Sequence, residues 1–108
     1  MSIPIEDFSK LEMKIGRVTS VEDIPAARKP MYKLTVDFGN ETRQCVGGIK
    51  EFYEKDQLKG RLVVAVVNLQ PKSVAGVISE CMLLAAFDST IVSLLAPDRE
   101  IPLGTKVG

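Results

Sequence analysis

The clearest pattern along the chain is a strict alternation of apolar and polar side chains over residues 32–38. The apolar positions are Tyr32, Leu34, Val36 and Phe38, and the polar positions between them are Lys33, Thr35 and Asp37. Because successive side chains of a strand point to opposite faces, this alternation predicts a β-strand with one buried face. Gly39-Asn40 follows as a hairpin turn that tolerates positive φ, and the return strand is predicted over Thr42–Val46.

The segment before this hairpin predicts a longer strand, Met13–Val21, with a break in its pattern. Met13 and Ile15 share one face, and the apolar phase then moves to Val18 just after Gly16. A phase shift at a glycine inside a strand indicates a bulge or a sharp bend. A small barrel needs one such coiled strand in order to close.

The second half of the chain predicts one short helix and further strands. Ile49, Phe52 and Tyr53 fall at helical spacing, on a helix that reaches about Lys55. Leu62–Val67 is apolar on both faces, which is typical of a central strand. The remaining predicted segments are a helical turn around Phe8 and Leu11, a loop over Asn68–Gly76, strands over Cys81–Phe87 and Ile91–Leu95, and a tail of turns over Pro97–Gly108 with at most one edge strand.

The order of these elements is three strands, a short helix, two strands and a tail. We therefore predict an all-β fold, a five-stranded OB-fold barrel with a short helix between strands 3 and 4 and a C-terminal extension. SH3-like barrels and swivelling β-sandwiches are the alternatives. A length of 108 residues predicts a single domain over 1–108, with the barrel at about 11–87.

The composition of the chain excludes some classes of protein function. The 14 basic and 14 acidic side chains cancel, so a basic patch must come from arrangement and not from composition. The absence of histidine removes the commonest general base, and no glycine-rich phosphate loop is present. We expect no enzymatic activity and no cofactor or metal.

The cysteines and the termini predict a cytoplasmic protein. The N-terminus lacks the features of a signal peptide, and the apolar runs are too short to span a membrane, so no membrane partner is expected. Cys45 and Cys81 lie in isolated, strand-like contexts. We interpret both as reduced, small buried hydrophobes.

Motifs spread over Asp7–Val107 are similar to those of one known family. They are Asp7-Phe8, Met13-Lys14-Ile15-Gly16-Arg17-Val18, Tyr32-Lys33-Leu34-x-Val36-Asp37-Phe38-Gly39, Val46-Gly47-Gly48-Ile49, Val66-Val67-Asn68-Leu69-x-Pro71 and Ala75-Gly76-x-x-Ser79-x-x-Met82-x-Leu84-Ala85. This set resembles the tRNA-binding-domain family, which has an EMAP-II-like OB fold. The family includes stand-alone dimeric tRNA-binding proteins, the β subunit or C-terminal domain of methionyl-tRNA synthetase, and CsaA-type chaperones.

The chain lies between the subgroups of that family. Residues 27–34 and 97–105 resemble CsaA, whereas Gly48-Ile49 and Asn68-Leu69-x-Pro71 resemble the synthetase-associated members. At two positions the chain departs from most tRNA-binding members, which have glycine where Cys81 stands and usually serine where Gly47 stands. Both departures fall near the site that the family uses for RNA.

OB barrels bind nucleic acid on one barrel face and its flanking loops. The predicted RNA-binding residues are Arg28, Lys29, Lys33, Arg43, Asn68, Lys72, Ser79 and Met82. The cations would hold phosphates, and the short polar groups would meet bases or riboses. The structural alternatives are solvated surface charges, a turn-capping role for Asn68 and a core position for Met82.

The resemblance also implies the partners. We predict a structure-selective tRNA-binding protein, either stand-alone or an accessory of methionyl-tRNA synthetase. The alternative is a CsaA-type export chaperone that binds unfolded preproteins. A homodimer is expected through the N-terminal turn and the 88–108 extension, because the apolar tail is longer than a five-stranded barrel requires.

Overall fold

The structure, a computed structural model, describes all residues from 1 to 108. Its elements are α1 (Ile5–Phe8), β1 (Met13–Asp23), β2 (Tyr32–Asp37), β3 (Thr42–Gly47), α2 (Lys55–Leu58), β4 (Leu62–Val66), β5 (Lys72–Val74), β6 (Val77–Ser79), β7 (Met82–Leu83), β8 (Ala85–Phe87), β9 (Val92–Leu94) and β10 (Lys106–Val107). Both helices have four residues, far fewer than a membrane-crossing helix needs.

The main sheet has the antiparallel order β3-β2-β1-β4-β7, with β10 added beside the first half of β1. The sheet then curls so that β3 meets residues 78–81. There the Glu80 amide donates to the Gln44 carbonyl at 2.9 Å, and the Gln44 side-chain amide donates to the Ile78 carbonyl at 2.8 Å. We call this junction the barrel seam. It nearly closes the five-stranded sheet, which confirms the predicted OB-like barrel.

Strand β1 is long, and different parts of it pair with its two neighbours in the sheet, β4 and β2. It pairs with β4 over Met13–Arg17 and with β2 over Arg17–Asp23. The register shifts between Val18 and Ser20, so the predicted irregularity exists but does not lie at Gly16. Gly16 itself pairs regularly with Val63.

The predicted buried face of β2 forms the centre of the core. Tyr32, Leu34, Val36 and Phe38 are all at most 3 % exposed. Cys45 and Cys81 are also buried in this core and form no disulfide, as predicted. A second, smaller apolar cluster covers the opposite side of β1 and β4, and its buried members are Met13, Ile15, Val64 and Val66.

The predicted helix lies between β3 and β4 but begins later than its apolar spacing indicated. The Phe52 and Tyr53 amides both donate to the Ile49 carbonyl in a turn, and α2 starts only after Glu54. Glu54 and Gln57 form a reciprocal capping box, which fixes the start of the helix. Ile49 and Tyr53 therefore reach the core from a turn, not from a helix face.

The predicted loop over 68–76 contains a strand. β5 pairs with β6 in a two-stranded hairpin that turns at Ala75 and Gly76, both with positive φ. Three-residue arms are too short to show an alternating pattern. The predicted strand over 81–87 is likewise divided at Leu84, whose amide donates to the Val64 carbonyl.

Candidate nucleic-acid interface

A cavity of about 290 Å³ opens between the end of β3, the β5–β6 hairpin and the residues that follow β4. Three predicted residues, Lys72, Ser79 and Met82, line it. Its remaining lining residues are Met31, Val46, Gly48, Leu69, Gln70, Val74, Glu80 and Cys81. We call this the seam cavity, because Ser79 and Glu80 belong to the barrel seam.

Two further predicted cations lie beside the seam cavity. Arg28 and Lys29, in the β1–β2 loop, line a shallower depression that shares Met31 and Val74 with it. Arg28, Lys29 and Lys72 are exposed, and none of them pairs with a carboxylate. The fold thus gathers three unpaired positive charges at one end of a chain whose net charge is zero.

Two lysines near the end of β1, Lys50 and Lys55, are placed differently. Lys50 and Lys55 both contact the Asp23 carboxylate, at 3.0 Å each. Their hydrogen bonds, that of Lys55 first, hold the pKa of Asp23 below its usual value. Each of these two lysines thus has a carboxylate partner within the chain, unlike the cations beside the seam cavity.

Arg43 is held inside the fold. Its guanidinium donates to the Val67 carbonyl at 2.6 Å and to the Glu41 carboxylate at 3.1 Å. It thereby ties β3 to the end of β4, and its charge is offset by Glu41. All three guanidinium nitrogens thus donate within the chain, and this side chain has a structural role.

Ser79 and Asn68 also make bonds within the chain. The Ser79 hydroxyl accepts from the Val46 amide at 3.0 Å and donates to the Cys81 carbonyl at 3.3 Å. The Asn68 side chain accepts from the Glu12 amide at 2.8 Å and donates to the Lys10 carbonyl at 2.6 Å. Asn68 therefore anchors the N-terminal segment to the end of β4.

Lys33 and Met82 occupy the margin of the site. Lys33 lies opposite Val46, a lining residue of the seam cavity, and its ammonium group is 3.8 Å from the Glu22 carboxylate. Met82 is 48 % exposed, so it is not the core residue that the structural alternative supposed. Its thioether instead forms part of the cavity wall.

The sequence did not predict the apolar residues that line the seam cavity, nor its one acidic residue. Met31, Leu69 and Val74 line the seam cavity beside Glu80, its one acidic residue. The available signal was the presence of Met31 and Leu69 in segments that otherwise have a loop composition, immediately next to Pro30 and close to Pro71. Nothing in the local pattern distinguished Glu80 from a solvated charge.

Cys81 lines this cavity, and Cys45 is buried in the core next to it. The neighbouring Cys81 thiol, together with burial, raises the pKa of Cys45 above its ordinary value. Cys45 is thus a neutral thiol near pH 7 and acts as a packing residue. No group of three or more Cys, Asp or Glu side chains lies close enough together to hold a metal ion.

Comparison with known proteins places this geometry in a family. The family described as "Putative tRNA binding domain" matches residues 13–106. A methionine–tRNA ligase of Thermococcus onnurineus is 47 % identical over 105 residues, which are 97 % of this chain but 14 % of that protein. The chain therefore spans about one seventh of such a relative.

Two solved structures match over nearly their whole length. A CsaA chaperone of Bacillus anthracis has 39 % identity and a TM-score of 0.93, with 100 % of both chains covered. A protein related to methionyl-tRNA synthetase from Pyrococcus horikoshii has 38 % identity and a TM-score of 0.92, with 100 % of this chain and 99 % of that one covered. From the matched span and these relatives together, the chain belongs to the tRNA-binding-domain family.

Proposed function

We propose that this chain is a non-catalytic module that binds folded tRNA at the seam cavity and the adjoining β1–β2 loop. The observation that carries the proposal is the set of unpaired cations Arg28, Lys29 and Lys72 around one end of a net-neutral barrel. Phosphate contacts supply most of the affinity of such sites and make binding sensitive to salt. We propose the cytoplasm as the setting of this function.

The spacing of the cations supports recognition of shape. Arg28 and Lys29 project from the β1–β2 loop and Lys72 from the start of β5, so they can meet phosphates on different strands or turns of a folded RNA. Direct sequence reading of an RNA helix is disfavoured, because its major groove is too narrow for side chains. One module offers few contacts, and we propose that two copies in a homodimer engage one tRNA together, which raises affinity through avidity.

A second candidate function is supported by the apolar walls of the same cavity. Met31, Leu69, Val74 and Met82 would suit the side chains of an unfolded polypeptide, and CsaA chaperones share the whole fold. Exposed apolar surface of this kind commonly marks an interaction site. The similarity to a segment of methionine–tRNA ligases favours an RNA partner, and it supports an accessory role beside that enzyme.

The test is a salt-titrated tRNA binding assay on the Arg28→Ala/Lys29→Ala variant. We expect the variant to bind all tRNAs more weakly, and the slope of log affinity against log salt to flatten by up to about two units, one per lost phosphate contact. An unfolded polypeptide is assayed in parallel as the ligand for the chaperone hypothesis.

The control is Lys59→Ala, which also removes an exposed, unpaired cation, but away from the seam cavity. We expect the control to bind tRNA like the parent. If the Arg28→Ala/Lys29→Ala variant also binds like the parent at low salt, the proposed interface is misplaced. If the parent binds no tRNA but holds the unfolded polypeptide, the chaperone function replaces the proposal.

A further inference from the structure

Phosphate binding does not account for the acid in the seam cavity. Glu80 lies among the lining residues and forms no ion pair with any cation of the chain. A carboxylate at this place repels the phosphates that Lys72 and the neighbouring loop would attract. A group with hydrogen-bond donors, however, would be attracted to it.

The position of this carboxylate is fixed by the barrel seam. The Glu80 backbone amide donates to the Gln44 backbone carbonyl at 2.9 Å. The Gln44 backbone amide donates in turn to Oε1 of the Glu80 side chain at 3.2 Å. Oε2 has no partner within the chain. Because an ionised carboxylate offers about four acceptor sites, most of its hydrogen-bonding capacity is left for a ligand.

The walls of the cavity suit a flat ring. Met31, Leu69 and Met82 surround the opening, and Leu69 and Met82 are 42 % and 48 % exposed. Aromatic and apolar side chains sandwich the flipped-out base in enzymes that act on single bases, and thioethers adapt to the shape that they cover. At about 290 Å³ the cavity lies at the small end of ligand pockets, a size that suits one base and not a stacked pair.

We infer that the seam cavity binds one unpaired guanine of the RNA, with the Glu80 carboxylate accepting from the guanine N1–H and N2–H groups. Guanine is the RNA base whose pairing edge carries two adjacent donors, which match the two oxygens of a carboxylate. Adenine and cytosine offer only an amino group there, and uracil offers one N–H between two carbonyls. The inference rests on the proposed RNA-binding function and adds a base preference to it.

The test uses short RNAs that cannot fold. The parent protein is titrated with a nonamer of uridines and with the same nonamer carrying guanosine, inosine or adenosine at its centre. A bidentate base contact discriminates by roughly 5- to 150-fold, so we expect at least fivefold tighter binding of the guanosine nonamer than of the uridine nonamer. Inosine lacks the N2 amino group and should lose most of this gain.

The substitution that tests the protein side of this contact is Glu80→Gln. It keeps a side-chain oxygen that can accept from the Gln44 backbone amide. We expect the variant to lose the preference for guanosine while it binds the uridine nonamer as well as the parent or more tightly, because a negative charge has gone. The opposite directions of these two effects separate base recognition from general electrostatics. Glu51→Gln, an equal charge change at an exposed residue outside the cavity, should leave the preference intact.

The outcomes distinguish the two proposals. Binding of tRNA without any preference among the nonamers, or a preference that survives in a folded Glu80→Gln variant, overturns the guanine site alone. Absence of tRNA binding overturns the proposed function and the guanine site with it. Displacement of a nonamer by unfolded polypeptide, with no guanosine preference, would assign the cavity to peptide side chains instead.

Discussion

At position 16 the backbone of β1 lies against two core side chains. A Cβ atom built on Gly16 would be 2.5 Å from Cγ1 of Val36 and 2.8 Å from Cε1 of the Phe38 ring. Both neighbours are essentially without solvent exposure and have no free space to move into. The glycine is therefore required by close packing, whereas its pattern in the sequence had indicated a bulge.

This packing makes Gly16→Ala a destabilising change. Overpacking of a well-packed core costs about 1–3 kcal/mol, and we expect a loss of that size in the free energy of unfolding, measured by denaturant titration. Gly48→Ala is the matched control, since a Cβ there meets nothing within 4 Å. A Gly16→Ala protein as stable as the Gly48→Ala protein would contradict the packing argument.

At the level of elements, the barrel seam depends on side chains where other strand pairs have a backbone ladder. The Val46 amide finds its partner in the Ser79 hydroxyl, and the Gln44 amide finds its partner in the Glu80 carboxylate. Val46, Ser79 and Glu80 belong both to the seam and to the lining of the seam cavity. We therefore expect changes at these residues to affect stability as well as the proposed RNA binding.

The seam predicts that Ser79→Ala lowers stability. The change leaves the half-buried Val46 amide without its partner, which costs about 1–3 kcal/mol. Denaturant titration measures the loss, and Ser73→Ala, an exposed serine of β5 without a side-chain hydrogen bond, is the control. If Ser79→Ala is as stable as the parent but binds tRNA more weakly, its hydroxyl serves the RNA and not the seam.

At the scale of the whole molecule, the outer apolar surface remains without a partner in the single chain. Ile101 and Val107 of the tail pack on the second apolar cluster. Three large apolar residues that precede the tail in the sequence, Phe87, Ile91 and Leu95, are exposed to solvent. A further cavity of about 450 Å³ with mostly apolar walls lies between Leu84, Leu95 and Ile101. We propose that this surface forms the homodimer interface expected from the sequence.

The dimer is tested by Phe87→Glu/Ile91→Glu, because a buried, unpaired carboxylate at an interface is costly. We expect a folded monomer by sedimentation at micromolar concentration where the parent is a dimer. Ile78→Glu, on the β5–β6 hairpin, is the control with a similar exposed apolar residue. A doubly substituted protein that still sediments as a dimer would show that the interface lies elsewhere.

Deletion of the tail is a poorer test of the same interface. Leu94 is buried in the main core, and β10 pairs with β1 at Met13 and Lys14. The extension predicted for dimerisation thus also completes the fold of the single chain. Truncation would remove core contacts, and a loss of the dimer could not then be assigned to the interface.

The sequence by itself determined the strands of the barrel and the buried face of β2. Alternation over residues 32–38 and the apolar run from Leu62 report burial directly, because the strand period is local. The family resemblance also named Arg28, Lys29, Lys72, Ser79 and Met82, which the structure brings to the seam cavity and the loop beside it. The first residue of α2 was harder to predict from the sequence. The capping pair of Glu54 and Gln57 sets the start of the helix, and the apolar spacing before it had indicated an earlier start.

Only the tertiary structure decided which polar residues are available to a ligand. Arg43, Asn68 and Ser79 are bonded to partners 24 to 58 positions away in the chain, and no local pattern reveals such partners. The same long-range closure brought Met31 and Glu80 into one cavity and left the nearby cations unpaired. Hydrogen-bond and ion-pair partners are set by the spatial meeting of distant segments, and that meeting exists only once the barrel has closed.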